Sequence, residues 1–112
     1  MVNLQDPAFI QFCEKSSHYE VAEKVLDGSV RGLDKMALNA MLKHRSSLPE
    51  TVEKILVAYF FASMGRVVYH RHDLSMLYQY WARREIRTVD QALRMAKEDI
   101  QHVLSQVKKP GM

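Results

Sequence analysis

The chain is poor in the features that hold small secreted or fibrous proteins together. Cys13 is its only cysteine, so no internal disulfide forms, and that usage fits a reducing compartment. Three prolines and four glycines in 112 residues are too few for a low-complexity or collagen-like chain. No charged leader runs into an apolar stretch near Met1, so no signal peptide is expected. The longest apolar run, Ile55 to Ala62, falls far short of the roughly 20 residues that span a bilayer, and it reads as a buried core helix. Catalytic signatures are also missing: there is no G-x-S-x-G, no Gly-rich phosphate loop and no H-E-x-x-H. A cytoplasmic, non-enzymatic protein without cofactor or metal is the expectation.

What is present is an ordinary globular composition, 47% hydrophobic and 26% charged, enough for one domain with one modest core. The net charge of +3 is unevenly placed: residues 1–64 hold 7 Lys+Arg against 8 Asp+Glu, residues 65–112 hold 9 against 5. A basic second half suggests an anionic partner, with a merely solvated surface as the bland alternative.

Helical periodicity accounts for nearly every segment. Asp6-Pro7 starts a first helix with a capping acceptor and a Pro at the first turn. The S-x-x-E pair Ser17/Glu20 opens a second, stopped at Gly28. A third is expected from about Leu33 to His44, with Lys43, His44 and Arg45 complementing the dipole at its end. Ser47-Leu48-Pro49-Glu50 reads as another capping box, opening the most apolar helix, which Gly65 ends. Arg66 to His72 reads as a loop. Leu74, Leu77, Tyr78 and Trp81 then give a helical face from about Asp73 to Arg84, and Thr88/Gln91 cap a long last helix whose stripe runs from Val89 to Val107. That stripe outlasts a small bundle's needs, so its far end is expected to protrude or pack on a second protomer. Residues 108–112 read as a polar tail. The fold class is all-α, a compact bundle of five to six helices with a long C-terminal helix.

The densest chemistry lies where the fifth helix ends. Arg83, Arg84 and Arg87 make a basic elbow, richer in cations than helix capping requires. Trp81 reads first as a core anchor of its stripe and second as a base-stacking platform. Tyr80 and Tyr69 lie off the stripe and are the better exposed stacking candidates. Arg66, Arg71, Lys108 and Lys109 extend a phosphate-contacting track. Cys13 sits on an apolar face and reads as a small buried hydrophobe. His70 and His72 flank Arg71, whose guanidinium opposes a bound metal cation.

These motifs carry a resemblance. Leu48-Pro49 and the apolar helix, then Leu74, Leu77 and Trp81, then Ile86-Arg87-Thr88-Val89-Asp90-Gln91-Ala92, resemble the DnaD-like domain of bacterial replication-initiation proteins. Trp81 to Ala92 is most like the helicase-loading branch named DnaB, a replication initiation and membrane attachment protein. The likeness covers about residues 6–98 and is strongest from Leu48 to Ala92. It departs at Asp73, where the family has Tyr. The resemblance implies an all-helical domain of a replication-restart or initiation primosome that helps remodel origin DNA and deliver the replicative helicase through a loader ATPase; the basic elbow is expected to contact DNA phosphates, of single strands first, without reading sequence. Its implied partners are primosome proteins or a helicase loader and further copies of itself, with membranes engaged only indirectly. The alternative from a different class is a protein–protein interaction or oligomerisation module without useful DNA affinity.

Overall fold

The computed structural model describes residues 3–108, all helix and connecting loop, with no strand among them. Seven helices follow one another: α1 Pro7–Lys15, α2 His18–Val25, α3 Gly32–Lys43, α4 Glu50–Met64, α5 Asp73–Arg83, α6 Val89–Met95 and α7 Ile100–Lys108. The radius of gyration, 12.8 Å, is that of a single packed body of this length.

The apolar α4 is the centre, as its sequence requires. Residues 52–61 are buried without a break, and α4 packs against α1, α2, α5 and α6. The α5 stripe Leu74, Leu77, Tyr78 and Trp81 is wholly buried, and α5 also contacts α3 and α7. Three starts follow the sequence expectation. Ala8 N–H donates to Asp6 Oδ1 at 3.0 Å. Ser17/Glu20 and Thr88/Gln91 close reciprocal capping boxes, with the N3 amide donating to the cap hydroxyl at 3.1 Å in both.

Three expectations need correction. Ser47 does not cap α4: Pro49 holds the cap position without a side-chain hydrogen bond, and Leu48 is buried instead. Gly65 does end α4 as expected, and a Cβ there would run into the Leu26 side chain and the Phe61 carbonyl, so close packing is what favours glycine. Among the described residues the helices number seven rather than five or six. The long last helix is two helices, broken over Ala96–Asp99. The break is stabilised from both sides. Tyr59 Oη donates to the Glu98 carbonyl at 2.7 Å, and Asp99 Oδ1 accepts from Gln101 N–H at 3.1 Å at the start of α7. Both halves bury their stripes, so among the described residues nothing of it protrudes as an unpacked arm.

Buried carboxylates tie the bundle together. Glu53, inside α4, accepts from Tyr78 Oη at 3.0 Å and lies 3.0 Å from His18 Nε2 and 3.2 Å from Arg45 Nη2. The Tyr78 hydroxyl also accepts from the Ser46 and Leu48 amides, so one acid joins α2, the α3–α4 loop, α4 and α5. Asp34 takes Arg31 bidentately, at 3.1 and 2.9 Å, together with the Tyr69 hydroxyl. Arg31 in turn donates to the Val67 carbonyl at 3.0 Å, which pins the α4–α5 loop onto α3. Buried ions survive in a core only when paired and hydrogen-bonded in this way.

Candidate nucleic-acid interface

The elbow after α5 is a defined turn. Glu85 adopts φ 56°, in the left-handed region. Glu85 N–H donates to the Ala82 carbonyl at 3.1 Å, and Ile86 N–H reaches back to the Trp81 carbonyl at 3.2 Å. This pair of bonds is a Schellman motif, whose usual apolar contact runs between the third-last helical residue and the second beyond the cap. Trp81 and Ile86, the residues at those two positions, are both buried in the core. Arg83, Arg84 and Arg87 are thereby held around a rigid corner with their side chains in water. Thr88 and Gln91 fix the far side: Gln91 Oε1 accepts from the Arg87 amide at 2.8 Å and from the Thr88 amide at 3.2 Å.

Tyr80 is half-buried beside this corner. Arg84 lies 5.4 Å from its ring centroid and donates to its hydroxyl at 3.3 Å. A guanidinium beside a tyrosine ring is a preorganised surface for a base or a phosphate. Arg87 has Glu85 as an exposed ion-pair partner at 3.8 Å, a contact worth little in water and easily exchanged for a phosphate.

The other predicted residues do not join this corner. Trp81 is 1% exposed and stacks on Tyr59 at 6.0 Å, so it offers no face to a base and acts as the anchor of the elbow. Tyr69 is buried too, edge-on to Phe60, because its hydroxyl has a buried acid to satisfy. Arg66 and Arg71 lie on the α4–α5 loop, at the opposite end of α5 from the elbow. An 11-residue helix separates the two ends, roughly 16 Å at 1.5 Å per residue. Lys108 belongs to that far end, with its ammonium 2.9 Å from Asp73 Oδ1. The expected single track is therefore two patches. Lys109 lies outside the described residues.

Sequence reasoning missed the turn itself, although a trace of it was there. Trp81 and Ile86, five residues apart across a run of charge, have the spacing of a Schellman contact. It also missed the buried acids Asp34, Glu53 and Asp73. No three His, Cys, Asp or Glu side chains converge to hold a metal among the described residues, and no helix there is long and apolar enough to cross a membrane. No protein-family model, no curated protein and no solved structure matches the chain.

Proposed function

We propose that this chain is a non-enzymatic, nucleic-acid-binding helical domain that contacts single-stranded DNA phosphates through Arg83, Arg84 and Arg87, with Tyr80 beside them. The observation that carries the reading is the elbow: three solvated arginines fixed on a hydrogen-bonded turn, one of them over the ring of the half-buried Tyr80. Rigid placement lowers the entropic cost of each contact, and phosphate contacts carry no sequence information. The resemblance to DnaD-like domains adds the cellular setting, a primosome that assists loading of the replicative helicase.

The test is fluorescence anisotropy of a labelled single-stranded oligonucleotide at low and moderate salt. Binding that tolerates sequence change and weakens steeply with salt is expected, with a log–log slope near −0.7 per phosphate contacted. Absence of binding at high protein concentration refutes the reading. A second reading, an interaction module without DNA affinity, has its own observation: Val68 stands 92% exposed on the α4–α5 loop with Val67 beside it. Binding to another protein through such a surface would resist added salt.

A further inference from the structure

The far end of α5 holds an arrangement that the elbow does not need. An open cleft of about 630 Å³ lies between the α4–α5 loop and α7. Met64, Val67, Val68 and Leu104 give it apolar walls, and Asp73 forms part of its lining. Asp73 is 1% exposed. Its Oδ2 accepts from the His70 amide at 3.1 Å, but its Oδ1 has no hydrogen bond. Among the described residues Oδ1 has the Lys108 ammonium 2.9 Å away as an ion pair, outside hydrogen-bonding geometry. Lys108 comes from the last turn of α7, and its side chain is 45% exposed.

A buried carboxylate in the lining of a cleft with a largely apolar surface is complementary to a cation on an aliphatic stem. The chain's own lysine already demonstrates the fit. The loop that forms one wall is fixed by Arg31, which donates to the Val67 and Met64 carbonyls, so the cleft exists before any partner arrives. We propose that this cleft is a docking pocket for a lysine or arginine side chain of a partner protein, anchored by Asp73, with Lys108 as the occupant that the incoming side chain displaces. The stem lies along Met64, Val67 and Leu104, and the exposed Val68 contacts the partner beside it. An incoming guanidinium or ammonium satisfies the Oδ1 lone pairs that Lys108 leaves without a hydrogen bond. The inference is independent of the nucleic-acid reading, which uses the other end of the helix.

The probe is Nα-acetyl-lysine amide, titrated into isotope-labelled protein and followed by NMR, with the norleucine analogue as the control that lacks the ammonium. The lysine probe is expected to shift the His70, Asp73 and Leu104 amides. Removing the competing occupant with Lys108→Gln tightens its binding about tenfold, because a site occupied nine-tenths of the time has only one-tenth of its intrinsic affinity. Asp73→Asn combined with Lys108→Gln abolishes the shifts while the spectrum keeps its folded dispersion. Equal shifts from the norleucine analogue, or shifts that survive Asp73→Asn, overturn the proposal. Should Lys108→Gln fail to fold, titration of the parent alone decides: shifts localised to the cleft support the pocket, and their absence up to the solubility of the probe refutes it.

Discussion

At its N-terminus α5 begins with Asp73, buried and matched to a lysine from the last helix; at its C-terminus it ends in Arg83 and Arg84, which stand in water with Arg87 just beyond. Both ends carry charge, and the surroundings decide what that charge does. In the interior an ion is costly unless partnered, so Asp73, like Asp34 and Glu53, is bound to a specific structural neighbour. At the elbow, solvation leaves the guanidinium groups free of obligation, and the turn beneath them supplies only position. A group able to serve an external partner is therefore one the fold positions without fully satisfying, as at the elbow guanidinium groups and at Asp73 Oδ1, which keeps an ion pair but no hydrogen bond among the described residues. Arg31 shows the opposite case: its side chain is spent on Asp34 and on two backbone carbonyls.

The largest effect that sharpens this contrast comes from the anchor rather than the arginines. Trp81→Ala should cost about 3–5 kcal/mol, as for other large-to-small core changes, measured as a lower urea midpoint. Arg83→Ala, two residues away in sequence, should leave the midpoint unchanged. Equal losses from the two would break the distinction between anchor and solvated cation.

A second effect concerns the buried acids. Burial pushes the Asp34 carboxyl up, but the Arg31 and Tyr69 hydrogen bonds outweigh it and hold the group below the ordinary carboxylate range. Its folded-state value is thus depressed. It contributes stability that is fully present above the unfolded value, ordinarily about 3.9, and is lost as pH falls through the lower folded value. Parent protein should lose stability between pH 5 and pH 2 more steeply than Asp34→Asn, which lacks that contribution at every pH. Parallel pH profiles in chemical denaturation would contradict the pairing.

Smaller still is the backbone strain in the elbow. Glu85 holds a left-handed conformation that glycine adopts freely, so Glu85→Gly should stabilise the protein by about 1 kcal/mol. It should also leave nucleic-acid binding nearly unchanged, because the arginines stay where they are. The smallest expected effect is on Cys13, whose thiol is pushed up to about 11, chiefly by burial. Iodoacetamide at pH 8 should leave it unmodified in the folded protein and label it fully in urea.

Much of the helical framework was legible because its signals are local. Asp6-Pro7, Ser17/Glu20 and Thr88/Gln91 satisfy backbone groups within three residues of themselves, and the α4 and α5 stripes repeat with the helix. The break in the last helix was not legible, because Ala96 and Ile100 keep helical spacing across it. What ends α6 there is joined by a hydroxyl that arrives from Tyr59, 39 residues away. The fates of the two tyrosines off the stripe were undecidable for the same reason. Tyr69 is drawn inward by Asp34, 35 residues earlier, whereas Tyr80 bonds its neighbour Arg84. The elbow arginines were visible as composition. Their separation from Arg66, Arg71 and Lys108 was not, since it depends on the length of α5 and on which of its ends meets α7.

That separation is the central claim, and it has a direct test. Single-stranded DNA affinity and its salt slope should be measured by anisotropy for the parent, for Arg83→Ala/Arg84→Ala/Arg87→Ala and for Arg66→Ala/Arg71→Ala, each checked for an unchanged melting temperature. Loss of binding and a shallower salt slope in the elbow variant, with near-parental behaviour of the loop variant, is the predicted result. An elbow variant that binds as the parent does, or a loop variant that loses as much as the elbow variant, would contradict the account.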